Sequence, residues 1–142
     1  MPLYSQDLET KLPESVRVFK DKVRSADAIL FATTEHNFSI TAVLKNAIEW
    51  GSRPGDDNSW DGKPAAIISA STSPRGGVRA QLHLRQILVD LNVYPINEPA
   101  LFLANAERAF DANLRLTDER ARNSLKAVLE ALAAWSAKIQ SH

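Results

Sequence analysis

Two short apolar runs, AILFA at Ala28–Ala32 and AAIISA at Ala65–Ala70, each lead through a polar turn into an amphipathic helix. That repeated plan constrains the fold more than any other feature. A nearly unbroken apolar run suits a strand covered on both faces, and strand–helix–strand–helix order implies a parallel sheet with right-handed crossovers. The helix after the first run, Thr41–Gly51, carries Leu44, Ala47, Ile48 and Gly51 at helical spacing, with Gly51 and Pro54 as its stop. The helix after the second, Val78–Leu91, aligns Leu84, Ile87, Leu88 and Leu91. Upstream, Pro13–Arg24 is expected to form a short helix with Val16, Phe19 and Val23 on one face. Downstream, Val93–Ile96 and Ala100–Leu103 are strand pieces around Pro99. Thr117 is expected to cap a last helix whose inner face is Leu125, Val128, Leu129, Leu132, Trp135 and Ile139.

At 142 residues the chain is most simply one domain, 1–142. Its 17 basic and 17 acidic side chains cancel, so nothing points to a nucleic-acid or membrane surface. The absence of cysteine excludes disulfides, thiolate zinc sites and a cysteine nucleophile. No apolar run is long enough to cross a bilayer and the start lacks a secretion-signal layout, so a cytoplasmic location is expected. His36, His83 and His142 have no metal-ligand spacing. Neither nucleotide-loop fingerprint occurs, and no G-x-S-x-G surrounds Ser71 or Ser73. His83, between two leucines, is expected to be a packed or surface residue. Trp50 and Trp60 are packing residues first and an oligomer contact second.

Ligands of parallel α/β sheets bind outside the carboxyl ends of the strands. Both polar turns fall there. Thr33–Ile40 offers hydroxyls, an amide, a carboxylate and an imidazole without any Gly or Pro. Ser71–Gly77 offers Ser71, Thr72, Ser73, Arg75 and the pair Gly76-Gly77, again before a helix start whose N–H groups favour anions and carbonyls. Two such loops side by side could clamp a planar ligand bearing carbonyls and ring nitrogens. The alternative is that both are solvated connections with helix caps.

The segment TTEHNFSITAVLKNAIEW resembles the T-P-E-Y-N-x-S-x-P-G-x-L-K-N-A-I-D-W signature of the NADPH-dependent FMN reductases, a flavodoxin-like family. SASTSPRGGVRAQLHLRQIL resembles the family's S-P-G-x-x-G-G loop and following helix, and MPLYSQDLE its L-P-L-Y-N-x-D-L-E segment. The resemblance implies FMN at the strand ends, hydride taken from NADPH or NADH, and electrons passed to a small-molecule acceptor such as a quinone or flavin. It places Thr34, Glu35, His36, Asn37 and Ser39 beside the isoalloxazine, through backbone amides and the Asn37 side chain. Ser71, Arg75, Gly76 and Gly77 would close the other side. It assigns no catalytic side chain and no metal, and it implies a homodimer or homotetramer.

Departures from the pattern are Thr34 for Pro, His36 for Tyr, Thr41-Ala42 for Pro-Gly and Thr72-Ser73 for Pro-Gly. Each changes turn rigidity, so a looser ring pocket is expected. The family's first strand, its G-S-x-R-x-x-S-x-N phosphate loop and its first helix precede the point where this chain starts. The expected fold is therefore an N-terminally truncated, flavodoxin-like parallel three-layer α/β sandwich. Two functions follow: an FMN-dependent NAD(P)H oxidoreductase, or a non-catalytic flavodoxin-like binding or assembly module that has lost tight FMN binding. A phosphate-accepting receiver domain is excluded, because the strand AILFAT ends without an acceptor Asp.

Overall fold

A computed structural model describes residues 1–141, and the expectation for His142 lies outside the described residues. Strands β1 (Ile29–Thr33) and β2 (Pro64–Ala70) run parallel, in register from Ile29 opposite Ala65 to Thr33 opposite Ser69. Beyond β2, two short parallel strands share one lane. β3 (Tyr94–Pro95) pairs with Pro64 and Ala65, and β4 (Leu101–Leu103) with Ile68, Ser69 and Ala70. Pro99, which has no N–H for a ladder, lies between the two halves.

Alternation along β2 assigns its two faces. Ala65 and Ile67 enter one core with Phe31, with Val23 of α1 (Glu14–Ser25), Ile48 of α2 (Ala42–Ser52), and Leu84 and Leu88 of α3 (Val78–Asp90). Ala66 and Ile68 meet Val128 and Leu132 of α4 (Glu119–Gln140) on the other face. Helices on both faces of a parallel sheet are what the sequence plan implied.

Several boundaries and faces differ from expectation. β1 is covered on one side only: Phe31 is 3% exposed, whereas Leu30 is 38% exposed and Ala32 is exposed too. The reason is placement, because α4 packs mainly over β2 and β4. Leu129 is 43% exposed, so the inner face of α4 is narrower than its apolar pattern suggested. Asp118, not Thr117, caps α4 by accepting from the Ala121 amide at 2.7 Å; the Thr117 hydroxyl instead donates to Ala109 O at 3.3 Å. Gly51 is not a helix stop. It lies inside α2, and a Cβ there would sit 2.2 Å from the Trp60 indole nitrogen, so glycine is required by the close approach of that ring.

Trp50 and Trp60 are both buried, which removes them as exposed oligomer contacts. The Trp60 indole N–H donates to Ile48 O at 3.0 Å, and that of Trp50 to Pro2 O at 2.9 Å. The N-terminal segment is thereby tied to α2, with the Tyr4 amide donating to Asn46 Oδ1 at 2.8 Å. Lys20 is buried, and its ammonium donates to Arg53 O at 2.5 Å and Asp57 O at 2.7 Å, closing the loop after α2. Burial pulls the Lys20 pKa down, while the nearby Asp57 carboxylate, 3.2 Å away, opposes the shift.

Candidate functional site

The first loop is a tight turn rather than an open connection. His36 and Ser39 exchange backbone hydrogen bonds, both at 2.9 Å, and the two residues between them have positive φ: Asn37 at 49° and Phe38 at 66°. Two successive left-handed residues make the turn type that usually demands Asn-Gly. Asn suits the first position, but an aromatic at the second costs on the order of 1–2 kcal/mol. The Arg79 guanidinium offsets part of this by stacking 3.6 Å from the Phe38 ring centroid.

Glu35 stands immediately before the turn. Its side chain is only 7% exposed and is ion-paired with Arg79. It accepts from Arg79 Nε at 2.6 Å and from the Arg79 backbone amide at 3.2 Å. The hydrogen-bonding guanidinium holds the Glu35 carboxyl below its ordinary range, against the opposing effect of burial. Glu35 therefore caps α3 from another part of the chain. That helix needs it, since the residue at its cap, Gly77, has no side chain to offer.

The second loop is shaped by backbone. Gly76 (φ 60°) and Gly77 (φ 83°) take left-handed conformations in close quarters. A Cβ on Gly76 would lie 2.7 Å from the Phe102 carbonyl, and one on Gly77 would lie 2.9 Å from Ser69 Cβ. Buried Ser69 donates to Gly76 O at 2.6 Å and accepts from Gln81 Nε2 at 2.8 Å. The Ser71 amide donates to Leu103 O at 2.9 Å, while the hydroxyls of Ser71 and Ser73 accept from the amides of Ser73 and Arg75.

The loops meet at the carboxyl ends of β1 and β2 around a cleft of about 340 Å³ lined by Glu35, Asn37, Phe38, Ser71, Ser73 and Arg79. Of the expected site residues, Glu35, Asn37 and Ser71 line it. Thr34, His36, Arg75, Gly76 and Gly77 are not among its lining residues, and Arg75 is exposed. Ser39 faces elsewhere: its hydroxyl lies 3.2 Å from His83 Nδ1, at a separate cleft that also includes Lys45 and Asp90. Phe38 and Arg79 also line the cleft, and neither was among the site residues the resemblance assigned. A signal existed, because an Arg in the first turn of a helix is electrostatically misplaced unless an acid stands near it.

The donor set suits a flavin's pyrimidine edge. The backbone amides of Asn37 and Phe38 and the side-chain amide of Asn37 have no partner among the described residues. Neutral N–H donors beside an amide that both donates and accepts match the carbonyls and ring N–H of that edge.

A parallel sheet with helices on both faces and polar loops at its carboxyl ends defines a flavodoxin-like α/β protein. The chain belongs to the NADPH-dependent FMN reductase family, whose model matches residues 1–108. It is 46% identical over 141 residues to an NAD(P)H-dependent FMN reductase of Pseudomonas aeruginosa, an alignment covering 99% of this chain and 76% of that protein. It is also 46% identical over 145 residues to an NADPH:quinone oxidoreductase of Arabidopsis thaliana, covering 99% of this chain and 72% of that one. Among solved structures, FerB, a flavoenzyme NAD(P)H:(acceptor) oxidoreductase of Paracoccus denitrificans, matches with a TM-score of 0.88 at 36% identity. That match covers 97% of this chain and 76% of FerB. At Thr41, where the family usually has Pro, the side chain caps α2 by accepting from the Leu44 amide at 3.2 Å. The lost ring is replaced by a cap.

Proposed function

We propose that this chain is an FMN-dependent NAD(P)H oxidoreductase that passes hydride from NAD(P)H to bound FMN and then reduces a quinone, flavin or similar small acceptor. The observation that carries the reading is the cleft in which the His36–Ser39 turn meets the Ser71–Gly77 loop, with unpartnered neutral donors on its walls. Family membership and the names of its relatives support it. Bound FMN would supply the redox chemistry, accepting hydride and giving up two electrons.

The chain's own residues bind and orient. Asn37 would hold the pyrimidine edge through its side chain, with the amides of Asn37 and Phe38 beside it. Gly76 and Gly77 let the second loop approach without a Cβ in the way, and Ser71 and Ser73 fix that loop's shape through their hydroxyls. We further infer that residues 1–142 act as one domain, with NADPH as the donor. A homodimer or homotetramer is inferred from the resemblance, and a cytoplasmic location from the sequence's lack of a secretion-signal layout. No helix among the described residues is long and apolar enough to cross a membrane.

The test is direct. Purified protein titrated with FMN is expected to quench flavin fluorescence to saturation, and the loaded protein to oxidise NADPH when a benzoquinone is supplied. Protein that takes up neither FMN nor riboflavin, and oxidises neither NADPH nor NADH, overturns the proposal in favour of a non-catalytic module.

A further inference from the structure

The N-terminus of α3 is built like an anion site. Its cap is a glycine, and its first turn carries Arg79, which lines the cleft. A helix start and a guanidinium together would ordinarily hold a phosphate. Here an internal carboxylate already occupies that position. Glu35, 44 residues away in sequence, takes the Arg79 amide and the Nε edge of its guanidinium. The flat face of the same guanidinium is taken by Phe38. The Nε edge and one face of the arginine are engaged, and its charge is neutralised by a partner that is 7% exposed. Because its pKa is lowered, Glu35 stays ionised throughout the neutral range. The remaining cation of the second loop, Arg75, is exposed and outside the lining of the cleft.

We propose that Glu35 is the specificity-determining residue of the cleft: its carboxylate fills the anion position made by Arg79 and the α3 N-terminus, so the cleft selects neutral, carbonyl-bearing ring edges over phosphate groups. This rests on the flavin reading for the identity of the ring, but not for the exclusion of anions. The same arrangement makes Arg79 a positioning residue, since one side chain holds both Glu35 and the turn at Phe38.

The experiment measures two quantities on the full chain. Inorganic phosphate is titrated by calorimetry into the native protein and into Glu35→Gln. Riboflavin and FMN are titrated by fluorescence quenching into native protein, Glu35→Gln and Arg79→Met. Freeing Arg79 and the helix start should give Glu35→Gln a phosphate affinity roughly tenfold or more above the native protein, as expected for a regained charge-assisted contact. The ratio of FMN to riboflavin affinity should rise in Glu35→Gln. It should fall below the native value in Arg79→Met, where Glu35 is left as an unneutralised negative charge. A purely structural role would weaken both flavins together and leave the ratio unchanged, which overturns the proposal. Saturable phosphate binding by the native protein, equal to that of Glu35→Gln, also overturns it. If Glu35→Gln fails to fold, the Arg79→Met ratio alone decides. A native protein that binds neither flavin defeats the flavin reading, and the phosphate comparison still judges Glu35.

Discussion

The two strand–loop–helix units occupy equivalent places at adjacent strand ends, yet they are built by opposite means. The loop after β1 has no glycine and relies on side chains: Thr41 caps its own helix, and Arg79 stacks on Phe38 to steady a left-handed turn. The loop after β2 relies on backbone, with Gly76 and Gly77 in left-handed conformations against neighbouring atoms and a helix start that has no cap of its own. The missing cap comes from the first unit, through Glu35. Apparent repetition thus conceals a division of labour, and the site exists only where both halves are in place.

The sharpest way to break the comparison is Gly76→Val. The side chain would collide with the Phe102 carbonyl and force a β-branched residue to φ 60°, so a loss of about 3 kcal/mol or more is expected in chemical denaturation. Gly62→Ala is the control, because φ is 70° there but nothing lies within 4 Å; only the backbone cost of about 1 kcal/mol should remain.

Glu35→Ala comes next, because it strips the second unit of a cap that the first supplies. Leaving Arg79 unpaired and the helix start bare should cost about 2–3 kcal/mol. Hydrogen exchange should then quicken at both His36–Ser39 and Gly76–Ala80. Faster exchange in one loop alone would show that the units are independent after all. The pH dependence has a definite sign. The folded-state pKa of Glu35 is depressed, so its stabilisation is present above its unfolded-state pKa and is lost as pH falls through the lower folded value. Acid unfolding of Glu35→Gln should lack that part of the slope.

Thr41→Ala touches the first unit only and should cost about 1 kcal/mol, with α3 unaffected. The smallest expected effect is in affinity. Asn37→Gly keeps the left-handed turn but removes the side-chain amide, and the loss of about 1 kcal/mol should weaken FMN binding several-fold with little change in melting temperature. A large fall in melting temperature with unchanged binding would make Asn37 a turn residue alone.

The architecture was legible because it is written in local pattern. Apolar runs such as AILFA and AAIISA became strands, polar turns followed them, and helical spacing placed Leu84 and Leu88 in the core. What escaped was set by distance. Leu30 and Leu129 are as apolar as their buried neighbours, and only the placement of α4 exposes them. Residue identity could not announce a left-handed Phe38. The Glu35–Arg79 pair spans 44 positions and belongs to no local motif. At the caps, Thr117 and the adjacent Asp118 are both good candidates, and the local pattern does not decide between them.

The one-sided burial of β1 has a consequence for how the protein behaves in bulk. Among the described residues β1 pairs with β2 alone, so its outer rungs form an unfinished ladder, apolar and without Pro or Lys to blunt it. In the language of polymers it is a growth front, and we propose that a second copy of this chain can complete it. Were that so, mass action would make measured stability a function of protein concentration. Melting temperature should climb with dilution reversed, from low micromolar upward, and a Leu30→Lys variant should melt at one temperature across the whole series.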